Sequence, residues 1–119
     1  MNDIKIKRAY DDAADDDGYR ILIDRLWPRG VSKERARLDE WAKEVTPTTE
    51  LRKAVHDREI DWPTFDERYG REIEDNAEFD AWRDSVRETL KKKDVTLVTG
   101  AKLHEPHGHP YVLKKYLKK

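Results

Sequence analysis

Tyr19-Arg20-Ile21-Leu22-Ile23-Asp24-Arg25 carries a continuous apolar centre rich in β-branched side chains. A short run of that kind, bounded by turn formers, fits a strand buried on both faces. Gly18 precedes it, and Trp27-Pro28-Arg29-Gly30 breaks it. Val95-Thr96-Leu97-Val98-Thr99 repeats the pattern and ends at Gly100. Upstream, Ile4, Ile6 and Tyr10 lie among mostly polar neighbours and predict a first strand. The Asp-rich stretch between Tyr10 and Gly18 reads as a turn or loop.

Helix signals fill the space between the two apolar strands. Ser32 can cap a short helix through Arg37 or slightly beyond. The stretch with Leu38 and Trp41 fits either a continued helix or a packed loop. Thr46-Pro47 sets a capping hydroxyl before a proline at the first helical position. Leu51, Ala54 and Val55 then supply an apolar face. Asp61 is a further cap, followed by Trp62, Phe65, Tyr69 and Ile73 at helical spacing. Phe79, Trp82, Val86 and Leu90 continue the stripe, with Asn76 as a candidate interruption. A polar loop from Lys102 to His109 leads to Pro110 and a last helix carrying Val112, Leu113, Tyr116 and Leu117. The expected order is β-β-α-α-α-β-α, a small three-layer-like α/β domain whose short sheet is largely parallel.

Composition sets the outer bounds. The 119 residues suit one domain with one core. Charged residues make up 43% and hydrophobic ones 36%, a thin apolar supply that four Trp and five Tyr strengthen. The net charge of −1 gives no general attraction to nucleic acid or anionic membranes. Charges are unevenly placed: Asp11, Asp12, Asp15, Asp16 and Asp17 near the start, Lys91 to Lys93 and Lys114, Lys115, Lys118 and Lys119 near the end. Solvated faces account for such runs most simply. The chain has no cysteine, which excludes disulfides, thiolate catalysis and Cys-based zinc sites. No apolar run approaches the roughly 20 residues of a membrane span, and no signal-peptide pattern opens the chain, so a cytoplasmic location is expected.

Ligands of open parallel sheets gather beyond the carboxyl ends of the strands. Two segments fall there, Asp24 to Gly30 and Gly100 to Lys102. Arg25, Arg29 and Lys102 could converge with the amino end of the last helix on a phosphate or carboxylate. Trp27 is a candidate ligand contact, although it also suits a loop anchor. Structural ion pairs of Arg25 or Arg29 with Asp24, Asp39 or Glu44 are the competing use. His109 is the candidate acid-base group if a reaction takes place there. His104, His107 and His109 could alternatively hold a metal, although Pro106 and Gly108 leave their geometry undefined. His56, at the end of an expected helix, suits a structural role. A third possibility is a nucleic-acid module using the Lys-rich last helix. No Walker-type loop, Gly-x-Gly-x-x-Gly or nucleophile elbow is present, and no pattern identifies a cofactor or an oligomeric state.

Lys7-Arg8-Ala9-Tyr10, Asp17-Gly18-Tyr19-Arg20 and Asp24-Arg25-Leu26-Trp27-Pro28-Arg29-Gly30 together resemble the opening of the YeaO-like family of uncharacterised proteins. Asp39 to Glu44, Pro47 through Leu51-Arg52 to His56, Thr96-Leu97-Val98, Ala101-Lys102 and His109 to Leu113 extend the resemblance over nearly the whole chain. The family is a domain of unknown function, so the resemblance implies a fold rather than an activity. The chain departs from the family pattern at Gly108-His109-Pro110, where Asn-His-Ala is usual, and at Thr99-Gly100, where Tyr-Ser is usual. Lys102 and His109 match.

Overall fold

The computed structural model describes residues 2–119. Strands β1 (Ile4–Arg8), β2 (Tyr19–Leu22), β3 (Glu40–Trp41) and β4 (Val95–Thr99) form one sheet in the order β1-β4-β2-β3, every pair parallel. Helices α1 (Lys33–Ala36), α2 (Thr49–His56), α3 (Trp62–Asp75), α4 (Phe79–Leu90) and α5 (His109–Leu117) complete the α/β domain.

Period-two alternation assigns the two sheet faces. Val95 and Leu97 of β4 join Ile21 and Ile23 against the core built by α2 to α5, among them Phe65, Tyr69, Trp82, Val86 and Leu113. Val98 faces the other way, into a smaller cluster with Ala9, Val31 and Ala36. The second face is therefore thinly covered, by the four-residue α1 and the loop before it. Charge fills part of that side. Arg20, 3% exposed, donates to Asp17 Oδ2 at 2.6 Å and through Nε to the Ala36 carbonyl, while Lys7 Nζ lies 3.2 Å from the same carboxylate.

The structure differs from the expected order in two places. Glu40–Trp41 is a short edge strand, pairing Ile21 with Glu40 and Leu22 with Trp41. Two residues carry too little periodicity to be read as a strand, and pairing with β2 decides the matter. The long helical stripe is also two helices. Asn76 ends α3, donates through Nδ2 to the Glu44 carbonyl and accepts from the Glu78 amide, so its side chain replaces the helical bonds it interrupts.

Helix starts follow the chain's own caps. The Thr48 hydroxyl accepts from Leu51 N and donates to Glu72 Oε2 at 2.7 Å, tying α2 to α3. Thr46, named above with Pro47, instead donates to the Lys43 carbonyl one turn earlier. We expect Thr48→Ala to lower stability by about 1 kcal/mol, as for loss of an N-cap. Urea denaturation checks this, and an unchanged midpoint would show that the cap contributes nothing.

Candidate functional site

Parallel pairing brings the ends of β2 and β4 to one edge of the sheet. Asp24 follows the buried run of β2, and Thr99 is the last residue of β4. His109 opens α5 and points back at both. Asp24 Oδ1 lies 3.0 Å from His109 Nε2 and accepts from the Thr99 hydroxyl at 2.7 Å. Asp24 Oδ2 accepts from the Gly100 amide at 2.7 Å. The Thr99 oxygen in turn accepts from Ala101 N. Burial alone would raise the Asp24 carboxyl, yet His109, Thr99 and the Gly100 amide together hold it below its ordinary value of 3.8. The carboxylate is charged, and these three donors occupy it.

A cavity of about 240 Å³ opens beside this pair, lined by Tyr10, Arg25, Arg52, Gly100 and His109 among others. Arg25 donates through one terminal nitrogen to the Pro47 carbonyl at 3.0 Å, whereas its Nε is buried without a hydrogen-bond partner. Arg52 reaches the same space from α2. Asp24 is the one carboxylate among the lining residues, so the wall carries a net charge of +1 with His109 neutral and +2 with it protonated.

The loops around the cavity are bound to one another. Arg8 donates to the carbonyls of Gly100 and Ala101, joining β1 to the end of β4. The Tyr10 hydroxyl donates to the Arg29 carbonyl, joining the end of β1 to the loop after β2. The Trp41 indole donates to the Asp24 carbonyl at 2.6 Å. This rim is a hydrogen-bonded frame.

Of the residues singled out from sequence, the structure brings Arg25 and His109 together in the cavity. Arg29 and Lys102 lie outside its lining, with exposed side chains. Trp27 also stands outside it, donating to the Val31 carbonyl and packing edge-on against Trp41 at 5.5 Å. The amino end of α5 is served by a carboxylate from α3, since Asp66 Oδ1 accepts from Gly108 N at 2.9 Å. The three clustered histidines go to three places. His104 stacks on Trp62 at 4.4 Å, His107 Nδ1 meets Asp66 Oδ2 at 2.6 Å, and His109 turns to Asp24. Among the described residues no group of three or more His, Asp or Glu side chains could hold a metal ion. His56 is exposed at the last turn of α2. Lys115, Lys118 and Lys119 are exposed near the end of the chain, the last with its ammonium 4.0 Å over the Tyr116 ring.

Sequence reasoning gave Asp24 a role only as a partner for arginine, and it passed over Thr99, Tyr10 and Arg52. One signal was there for Asp24 and Thr99: each is a polar residue directly ending a buried apolar run, where side chains of parallel strands reach the ligand edge. Arg52 had none, because its place depends on how α2 packs.

A second hollow, about 470 Å³, separates α3 from α5. Its charges are largely matched internally: Asp66 with His107, Glu67 with Arg71, and Glu74 with the Tyr116 hydroxyl. With its histidine neutral, this lining carries a net charge of −1, from Asp66, Glu67 and Glu74 against Arg71 and Lys115, whereas the cavity beside Asp24 is net positive.

Fold and site together define a small, all-parallel α/β domain with an arginine-lined pocket behind a carboxylate–imidazole pair. Residues 3–119 match the family model described as the Inactive DUF488-N3 subclade, and the chain belongs to that family. It is 45% identical to the uncharacterized protein YeaO of Escherichia coli K12, over 97% of this chain and 96% of the relative. It is 34% identical to the uncharacterized protein Rv3073c of Mycobacterium tuberculosis H37Rv, over 96% and 92% of the two chains. No solved structure matches the chain. Among the described residues no helix is long and apolar enough to cross a membrane.

Proposed function

We propose that the protein binds a small phosphate- or carboxylate-bearing molecule in the cavity beside Asp24. The observation that carries this reading is a cavity wall on which two guanidinium groups, Arg25 and Arg52, outnumber the one carboxylate, Asp24. Two guanidinium groups without a carboxylate of their own call for an anionic oxygen, which they would hold by charge-assisted bonds. Asp24 does not serve that need, because Gly100, Thr99 and His109 occupy its oxygens. Asp24 instead orients the His109 ring, whose Nε2 is turned to the carboxylate at the cavity wall. The description of the subclade as inactive supports recognition without turnover.

Titration of inorganic phosphate and of succinate, followed by amide NMR shifts, tests the reading. We expect shifts at Gly100, Ala101 and Arg25, and a tenfold or greater loss of affinity in Arg25→Gln, about the 1.4 kcal/mol or more of a charged hydrogen bond. Lys102→Gln, outside the cavity, should bind nearly as well as the wild type. Absence of shifts with either anion, or equal affinity in Arg25→Gln, refutes the proposal.

A further inference from the structure

We propose that the hollow between α3 and α5 is a second site, in which His107 Nε2 accepts acyl groups from uncharged esters or anhydrides. Its lining shares no residue with the cavity beside Asp24, so the proposal does not depend on the anion reading. The chain places its four histidines in four settings. His56 is exposed and has no side-chain partner among the described residues. His104 stacks on Trp62, and His109 turns its Nε2 to Asp24. His107 instead meets its carboxylate through Nδ1, with Asp66 Oδ2 2.6 Å away. A carboxylate oxygen accepts, so Nδ1 carries the proton and the neutral ring keeps its lone pair on Nε2. Asp66 is itself held, because its other oxygen accepts from Gly108 N at 2.9 Å. An imidazole oriented by a carboxylate that is oriented in turn is the arrangement of an activated nucleophile.

The second nitrogen of that ring is free. Nε2 has no hydrogen-bond partner among the described residues and is open to solvent. His107 lines a hollow of about 470 Å³, within the roughly 300–1,000 Å³ of ordinary ligand sites. The charges of that hollow nearly cancel, while Pro106, Tyr111, Val112 and Tyr116 give it apolar walls. An uncharged molecule with an apolar body suits such a lining better than an ion of either sign. In the reaction, Nε2 bonds to the acyl carbon while the C–O bond to the leaving group breaks and its electron pair departs with that oxygen. The Nδ1 proton, held against Asp66 while the ring is positive, then passes through water to the departed oxygen. Water afterwards adds to the acyl carbon, releases the acid and restores the imidazole.

Diethyl pyrocarbonate, an uncharged acyl donor, tests this on the intact protein, with peptide mass spectrometry following the label on each histidine over time. His56 is the internal reference for an imidazole that nothing orients. Access alone would put His56 first, because it is exposed and the His107 side chain is only 37% exposed. We expect the opposite order, with His107 labelled about tenfold faster than His56, and Asp66→Asn bringing the two rates level. The order in the wild type needs no substitution, so it decides the matter even if Asp66→Asn proves unstable. Steady hydrolysis of p-nitrophenyl acetate should likewise fall about tenfold in His107→Gln and stay unchanged in His56→Gln. Labelling of His56 as fast as His107 in the wild type would overturn the proposal. So would a hydrolysis rate that His107→Gln leaves intact.

Discussion

Replacing Asp24 with Ala is expected to cost about 3 kcal/mol of folding stability at neutral pH, the scale of leaving buried donors to a carboxylate unpaired. The side chains of His109 and Asp24 are only 15% and 17% exposed, so neither is well served by water once the other is gone. The substitution strands the Gly100 amide, the Thr99 hydroxyl and the His109 ring at one stroke. Asp24→Asn should fall between wild type and Ala, because its amide oxygen can accept one or two of those bonds. The pH dependence follows from the direction of the shift. Asp24 is held below 3.8 in the folded chain by His109, Thr99 and Gly100 despite its burial, so its contribution is complete above the unfolded value. It is lost as pH falls through the lower, folded value. The stability gap between wild type and Asp24→Ala should therefore close progressively once the pH falls below about 4, the ordinary carboxylate value. Urea unfolding at a series of acid pH values measures it, and a gap that stays open down to about pH 2 would contradict the arrangement described.

Much of this architecture can be read from residue patterns. Ile21 to Ile23 and Val95 to Val98 are buried on both sides, with Thr96 the one polar residue among them, because both sheet faces are covered, and that signature is local. The helix faces of α3 and α4 are local too, as is the break at Asn76. The edge strand Glu40–Trp41 is not, since its only claim to extended structure is the partner it finds on β2. The site divides in the same way. Arg25 and His109 sit where a strand end and a helix start must place them. The unpartnered Arg25 Nε, the contribution of Arg52 and the packing of Trp27 against Trp41 depend on tertiary structure. Arg29 and Lys102 belong to the expected loops, but residue order alone does not fix the direction of a side chain within a loop.

The largest single-site loss is expected at Gly18, just before β2. Its φ is +70°, and a Cβ there would lie 2.1 Å from the Asp94 carbonyl oxygen, closer than any side chain tolerates. That carbonyl also accepts from Tyr19 N at 2.8 Å, the bond from which β2 runs alongside β4. Alanine would thus meet both a disfavoured backbone conformation and a backbone collision at the first rung of the central pairing. Gly18→Ala should lower stability by about 4 kcal/mol or more, a large share of the roughly 5–15 kcal/mol that holds a domain folded. Thermal unfolding by circular dichroism reads this directly. A melting point within about 2 °C of the wild type would show that the approach of Gly18 to Asp94 is not a feature of the folded protein.

The position of β4 bears on how the chain acquires its shape during synthesis. Residues 95–99 are made after the other three strands and helices α1 to α4, yet they occupy the slot between β1 and β2, which do not touch each other in the sheet. A growing polypeptide stopped short of Asp94 has two strands that lack their common neighbour, together with helices that have no sheet to rest on. Formation of the native sheet must wait until β4 has been translated, and the distance in sequence between β1 and β4 makes that closing step slow relative to helix formation. Until it happens, the edges of β1 and β2 are open to other chains, and this is the interval in which a nascent-chain chaperone would have the most to protect.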